Sequence, residues 1–134
     1  MFLLGDKMDK AKVVNLNPIV LAFVGDAVYS LFVREQLTFS SDCKTGELNK
    51  YATRKVSAIA QAELVNSILP YLSEEELAVF KRARNAKKTT KAKHASISQY
   101  NLSTGFEAVI GYLYMIGEID RLNYLLNLGE QNEN

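Results

Sequence analysis

The chain has very few of the residues that build covalently linked or zinc-stabilised folds. Its 134 residues include one cysteine, Cys43, and one histidine, His94. A lone cysteine excludes an internal disulfide and a cysteine-based zinc cluster, and it favours a reducing compartment. Because His94 lies in a strongly basic stretch, we interpret it as an exposed loop residue. The sequence offers no Ser–His or Cys–His pair suited to nucleophilic catalysis.

Signals for export and for membrane insertion are also lacking. Charge follows the apolar residues 1–4 too quickly for a signal peptide. The apolar stretch at residues 18–33 is shorter than the roughly 20 residues needed to span a bilayer, and it contains Asp26. We therefore expect a soluble cytoplasmic protein with no membrane partner.

Strand-like alternation is nearly absent, and the apolar pattern is helical. With 48% hydrophobic residues, the chain can form one globular all-α domain over residues 1–134, with an arm at residues 1–16 and a frayed tail at residues 130–134. Asn17 and Pro18 predict the start of a helix to Leu37, which is apolar on nearly every face and is expected to be central and buried. The other predicted helices cover residues 45–69, 73–87, 103–116 and 118–128. The first of these is broken near residues 52–55 and closed by Pro70, and the second is opened by a capping box at Ser73. Gly117 separates the last two helices, and Gly129 ends the last one.

Two apolar stretches each carry a single acid. Asp26 is the only charged residue in residues 18–33, and Glu107 is the only one in residues 102–117. Burying an ionised carboxylate without a partner costs several kcal/mol. Most of the residues three or four positions from each acid are small or hydroxylated, and Gly25 permits close backbone approach. The sequence therefore predicts that the two helices meet and that the two acids share a divalent ion, with Mg²⁺ preferred because the ligands are oxygens.

Each acid also has a simpler interpretation. The sequence Thr104-x-x-Glu107 is itself a capping box, so Glu107 could serve only to cap its helix. Asp26 could form a buried ion pair with a cation such as Arg54. The sequence alone leaves both alternatives open.

Positive charge is concentrated in the basic segment, residues 81–93. It contains seven basic residues and no acid, whereas the rest of the chain has 9 basic and 15 acidic residues. This asymmetry indicates a polyanion partner at one place on the molecule. A solvated helix end, where lysines are favoured by the helix dipole, is the alternative.

Three motifs, in order, resemble those of the ribonuclease III family. FVGDAVY at residues 23–29 resembles the helix that carries a catalytic acid, and FEAVIGYLY at residues 106–114 resembles the second acidic motif. KRARNAK at residues 81–87 is similar to the basic segment of the compact Mini-ribonuclease III branch. The strings VSA at 56–58 and QAE at 61–63 agree with the same branch, and the resemblance extends over residues 17–128.

The resemblance implies a dimeric ribonuclease III-like helical bundle. It implies an endoribonuclease that cleaves double-stranded RNA and leaves a 5′-phosphate and a 3′-hydroxyl, with Asp26 and Glu107 as catalytic ligands of Mg²⁺, or of Mn²⁺ as a substitute. In this branch the substrate is the 23S ribosomal RNA precursor, and the candidate partners are structured RNA, a second copy of the chain and a ribosomal protein. The RNA contacts are expected from Lys81, Arg82, Arg84, Asn85, Lys87, Lys88, Thr89, Thr90, Lys91 and Lys93.

Two departures from the classical family leave alternatives open. Classical members carry further acids at the positions of Ala22 and Thr104, and the Mini branch lacks both. This reduced set of acids favours Asp26 and Glu107 alone as metal ligands. It also motivates an alternative function, a catalytically degenerate RNA-binding or ribosome-associated module. A helical adaptor for a protein partner is a third possibility, but it leaves the basic segment unexplained.

Overall fold

The computed structural model describes residues 6–40, 44–88 and 95–131, and the regular structure in these ranges is helical. The expectation of an all-α fold is confirmed. The α-helices are α1 (Lys10–Val14), α2 (Pro18–Ser40), α3 (Thr45–Lys55), α4 (Ala58–Ile68), α5 (Glu74–Asn85), α6 (Ile97–Met115) and α7 (Ile119–Gln131), with a short 3-10 helix at Leu69–Tyr71 between α4 and α5.

Helix α6 forms the centre of the fold. It packs most extensively against α2, α5 and α4, and α7 covers part of α4 and α6. Its residues 103–106 and 108–113 are all buried. Because this part of α6 is buried on nearly every side and must be covered, the other helices pack around it. The acid that α6 carries, Glu107, is therefore held by the most enclosed element in the described structure.

Helices α2 and α6 cross at two glycines. A Cβ atom on Gly25 would lie 1.7 Å from the carbonyl oxygen of Glu107, and one on Gly111 would lie 2.0 Å from the carbonyl oxygen of Leu21. No side chain fits at either position, so the two main chains are in direct contact. The close approach predicted from Gly25 is confirmed, and it brings Asp26 next to α6.

Several boundaries follow the predicted signals. The side-chain oxygen of Asn17 accepts a hydrogen bond from the Ile19 N–H at 2.9 Å, capping α2. Ser73 opens α5 with a complete capping box. Gly117 ends α6 with φ of 77°, a left-handed conformation that glycine adopts without steric cost.

The predicted start of α6 was wrong. The helix begins at Ile97, six residues before the expected Ser103, and its capping box is formed by Ser96 and Gln99. The first turns carry polar residues and show no apolar period, which is typical of a loop. Glu107 therefore lies in the middle of α6, and its interpretation as a helix cap is wrong.

Three other expectations need correction. Helix α7 runs through Gly129 to Gln131, because Gly129 is buried against Leu64 and a Cβ there would lie 2.9 Å from it. The break between α3 and α4 falls at Val56 and Ser57, just after the predicted region. Helix α2 is not central: it exposes its Phe23 side chain, and the buried position belongs to α6.

Some predicted features lie outside the described residues. These are Cys43, His94 and the part of the basic segment that contains Thr89, Thr90, Lys91 and Lys93. In the three described ranges, no helix has the length and apolar character needed to cross a membrane.

Candidate active site

Asp26 on α2 and Glu107 on α6 lie side by side in one cleft. The two carboxyl groups are close enough to share a hydrogen bond, and both line a cavity of about 530 Å³, the carboxylate cleft. Asp26 is exposed, whereas Glu107 is half-buried. The convergence predicted from the two isolated acids is confirmed, and it follows directly from the glycine crossing of α2 and α6.

The positions of the missing family acids lie in the same cleft. Ala22 and Thr104 both line it, one turn before Asp26 and Glu107 respectively. The Thr104 hydroxyl donates to the carbonyl of Tyr100 at 2.9 Å. Among the residues that the structure describes, no third acid, histidine or cysteine joins the pair to form a metal-binding group. The protein ligands that the described cleft offers are therefore the two carboxylates.

Burial and mutual repulsion disfavour the ionised form of Glu107. Burial, followed by the charge of Asp26, raises the pKa of Glu107 from 4.5 to about 8, and a hydrogen bond from Gln61 opposes this shift. Two adjacent carboxyl groups cannot both ionise cheaply without a cation between them. The pair therefore holds a proton near neutral pH in the absence of a cation.

Asp26 has no basic partner in the described part of the chain. No ion pair joins it to an arginine or lysine there, and Arg54 lies over the Tyr51 ring, 5.6 Å from its centroid. The alternative of a structural ion pair with Arg54 is therefore wrong. Asp26 faces Glu107 instead, an arrangement that costs stability in the absence of a cation.

Gln61 is a site residue that the sequence reasoning missed. It lies on α4 with 1% of its surface exposed, and its side-chain nitrogen donates to Glu107 Oε2 at 3.3 Å and to the Val56 carbonyl at 3.2 Å. Leu64, Val65 and Ile68 share the buried face of α4 with it. The signal in the sequence that could have identified Gln61 is its position on the apolar face of this helix, where a polar amide is unexpected.

The cationic wall of the cleft is formed by Lys87 and Lys88. Lys87 is exposed. The Lys88 ammonium donates to three backbone carbonyls around the end of α5, those of Ala83, Arg84 and Ala86, at 2.9, 3.0 and 2.7 Å. Burial lowers the pKa of Lys88. Lys88 thus adds charge to the cleft while its three protons hold the end of α5 in place.

Two arginines of the basic segment also make internal contacts. Arg82 donates to the carbonyls of Val14 at 2.6 Å and Leu16 at 3.4 Å, which ties α5 to the last residue of α1 and to the segment that follows it. The guanidinium of Arg84 lies over the Phe80 ring at 5.7 Å. The described part of the basic segment therefore combines exposed charge, at Lys81 and Lys87, with cations that help to hold the fold.

A larger groove, of about 720 Å³, lies between α1 and α5. Its main charged groups are already engaged: Lys10 forms an ion pair with Glu75, and Arg82 donates to the backbone. Its wall is otherwise largely apolar, with Val14 and Val79 among the lining residues. The chemistry therefore points to the smaller carboxylate cleft.

Comparison with known proteins identifies the family to which this fold belongs. Residues 19–118 match the family model of the Ribonuclease III domain. The chain is 44% identical over 128 residues to a Clostridium tetani protein named Mini-ribonuclease 3, covering 95% of this chain and 85% of that one. It is 51% identical over 106 residues to the Brevibacillus brevis protein of the same name, covering 79% of each.

A solved structure supports the same assignment. A crystal structure of a Fusobacterium nucleatum protein superposes with a TM-score of 0.80 at 29% identity, covering 90% of this chain and 96% of that one. The fold is thus that of an all-α ribonuclease III-like domain. The chain belongs to the ribonuclease III family of endoribonucleases, within its Mini-ribonuclease III branch.

Proposed function

We propose that this endoribonuclease hydrolyses phosphodiesters of double-stranded RNA at the carboxylate cleft, with Asp26 and Glu107 as ligands of Mg²⁺ and the whole chain acting as one catalytic domain. The products are a 5′-phosphate and a 3′-hydroxyl. The observation that carries this proposal is the pairing of the two carboxyl groups from different helices beside a cationic wall.

The donor set suits magnesium. Magnesium in proteins is commonly held by one or two carboxylates, with waters and substrate phosphate oxygens completing its shell. The cleft offers two carboxylates, and its volume of about 530 Å³ leaves room for the remaining ligands. Mn²⁺, which prefers the same oxygen ligands, is the expected substitute.

The residues of the cleft divide the work of hydrolysis. Asp26 and Glu107 would hold the ion and fix its position relative to α2 and α6. When bound there, a divalent ion would supply Lewis-acid activation of the scissile phosphate and of the attacking water. Lys87 lies at the wall where the phosphate backbone would approach. The proposal needs no covalent intermediate with the protein, which agrees with the chemistry of the lining residues.

The basic segment is the proposed RNA-binding surface. A-form RNA is recognised mainly by shape, through phosphates and 2′-hydroxyls. Lys81, Arg84, Asn85 and Lys87 are the described residues whose polar groups suit such contacts, whereas Arg82 and Lys88 contribute charge from more constrained positions. If four to six phosphates are contacted in all, affinity should fall by roughly two to three decades between about 50 and 200 mM salt.

A homodimer would supply one site for each strand of the duplex. Helix α2 exposes 80% of Phe23 and 47% of Val20, and these side chains lie one or two turns from Asp26 on the outer surface of α2. An isologous contact through this apolar surface would set two carboxylate clefts beside each other. The proposed substrate is a ribosomal RNA precursor, in this branch that of the 23S RNA, and the proposed location is the cytoplasm.

The first prediction tests the two carboxylates. Asp26→Asn and Glu107→Gln should each lower the rate of cleavage of a perfect RNA duplex in Mg²⁺ by at least about 100-fold, because each variant removes one of two ion ligands. Duplex binding without metal should remain within about twofold of the unaltered chain. Cleavage is followed on denaturing gels and binding by fluorescence anisotropy.

The matched control is Asp120→Asn, which removes an exposed acid from α7. It should cleave at the normal rate, which would show that loss of charge alone is harmless. Full cleavage by either cleft variant would mean that the site is misassigned. Tight duplex binding by the unaltered chain with no product in Mg²⁺ would favour the RNA-binding module instead.

A further inference from the structure

Gln61 is a buried amide in direct contact with Glu107, one of the two acids of the carboxylate cleft. Only 1% of its surface is exposed, and its side chain reaches from α4 to Glu107 on α6. The same nitrogen donates to Glu107 Oε2 at 3.3 Å and to the Val56 carbonyl at 3.2 Å. The Val56 carbonyl can only accept a hydrogen bond, and an ionised Glu107 carboxylate can also only accept one. The amide must therefore turn its nitrogen toward them. This arrangement fixes which way the glutamine faces.

The other end of the amide is unpaired. Gln61 Oε1 is buried and has no hydrogen-bond partner within the described ranges. An unsatisfied buried acceptor is costly, and leucine or methionine would fill the same space without that cost. Packing alone therefore does not account for an amide at this position. The two hydrogen bonds that its nitrogen donates, to Glu107 and to the Val56 carbonyl, account for it.

We propose that Gln61 is a positioning residue of the ion site. Its nitrogen holds Glu107 Oε2, so that the carboxylate keeps one orientation and presents its other oxygen to the ion. The inference rests on the proposed function, because it gives Gln61 a role through Glu107 and not in direct contact with the RNA.

Such supporting hydrogen bonds have a measurable effect on metal sites. Removing the partner that orients a ligand typically weakens metal binding 10–100-fold. Gln61 acts on one of only two carboxylates in the described cleft, so the loss should fall in that range. It should appear as weaker ion binding with unchanged affinity for RNA, because Gln61 is buried and cannot reach the duplex.

The test measures ion binding directly. The dissociation constant for Mn²⁺ is determined by calorimetric titration of the full chain without RNA, for Gln61→Leu and for Glu107→Gln. Gln61→Leu should raise this constant at least about 10-fold. In cleavage assays it should raise the Mg²⁺ concentration for half-maximal rate by a similar factor, and most of kcat should return at saturating Mg²⁺. KM for the duplex should stay unchanged.

A double variant separates positioning from packing. In the Glu107→Gln background, Gln61→Leu should cause no further loss of Mn²⁺ binding, because the group that it positions has already been neutralised. A packing defect would instead lower the melting temperature equally in both backgrounds. Should Gln61→Leu fail to fold, Gln61→Met replaces it with a flexible side chain of similar length.

The outcomes distinguish the two proposals. If Glu107→Gln binds Mn²⁺ normally, the metal site is wrong and the proposed function fails with it. If Glu107→Gln loses Mn²⁺ and a folded Gln61 variant stays within twofold of the unaltered chain, only the role of Gln61 is overturned.

Discussion

At the residue scale, Glu107 opposes folding in the absence of an ion. Burial and the charge of Asp26 raise its pKa from 4.5 to about 8. The folded chain therefore binds a proton that the unfolded chain releases between these values, and stability falls as pH rises through this window. An ion that binds both carboxylates removes the penalty. Function and stability thus make opposite demands on this residue.

This conflict gives a prediction for Glu107→Gln. Without divalent metal, the variant should be more stable than the unaltered chain at pH 8.5, by on the order of a few kcal/mol. The gain should shrink as pH falls and disappear near pH 4.5, where both side chains are neutral. Urea denaturation in the presence of EDTA at several pH values measures it.

Glu63→Gln is the control, because Glu63 is exposed on α4; it should give no gain that grows with pH. Adding Mg²⁺ at pH 8.5 should stabilise the unaltered chain more than Glu107→Gln. A gain of the same size at pH 5 and pH 8.5 would contradict the electrostatic explanation.

The sequence predicted the two acids but not the amide behind them. A solitary charge in an apolar helix is visible in the sequence because nothing near it can compensate. Gln61 gave a weaker signal, since a neutral amide on a mostly apolar helix has many structural uses. Only the contact across 46 positions of the chain, between Gln61 and Glu107, brings it to the site.

At the scale of helices, the crossing of α2 and α6 determines the site. Gly25 and Gly111 each face a backbone carbonyl of the other helix at a distance that excludes a Cβ atom. Asp26 follows Gly25 directly, and Glu107 supplies the carbonyl that Gly25 faces. Any side chain at the crossing must therefore separate the helices and their carboxylates together.

Gly25→Ala should consequently damage both stability and ion binding. We expect a loss of about 3 kcal/mol in the free energy of unfolding, because the clash is with main chain that cannot move aside. The folded fraction should also bind Mn²⁺ more weakly. Urea denaturation and calorimetric titration measure the two effects.

Gly46→Ala provides the matched comparison. Gly46 lies in the first turn of α3, and a Cβ atom added there would meet no other atom within 4 Å. Alanine at this position should therefore change stability by no more than about 1 kcal/mol, in the favourable direction. If Gly25→Ala and Gly46→Ala changed stability equally, α2 and α6 could move apart at their crossing without loss of stability.

Local signals predicted most helix boundaries, and long-range packing decided the others. Ser73, Pro70 and Gly117 act within a few residues, so their effects could be read from the sequence. Gly129 also resembles a stop signal, yet α7 continues through it because its missing side chain makes room for Leu64. The early start of α6 at Ile97 likewise has no apolar period to indicate it.

At the scale of the whole molecule, apolar and charged surfaces lie near the same cleft. Phe23 lines the carboxylate cleft and is 80% exposed, and Lys87 lies on the wall of that cleft. A large apolar side chain left in water beside a site marks a contact surface. In the proposed dimer, the second copy covers Phe23 and leaves the cationic wall open to RNA.

Phe23→Asp should convert the dimer into monomers. The side chain is exposed in the single chain, so the charge should not unfold it, whereas burying that charge in an interface is costly. Light scattering after gel filtration should show one chain of 15.0 kDa in place of two. Cleavage of both strands of a duplex should fall with the dimer fraction.

Phe39→Asp is the control on the same helix. Phe39 is 83% exposed, about 24 Å along α2 from Phe23 and on nearly the opposite side of it. This variant should remain dimeric. A monomeric unaltered chain that cleaves both strands would contradict the proposed assembly, and loss of the dimer in both variants would place the interface elsewhere on α2.

The contact between the main chains of α2 and α6 has a consequence for protein engineering. Because carbonyls and glycines fix how near the helices come, repacking the core cannot widen or narrow the gap between the acids. At the proposed ion site, adaptation to a larger cation such as Ca²⁺ would therefore require a change of side-chain length at positions 26 and 107. Selectivity among ions is thus adjustable there without redesigning the scaffold.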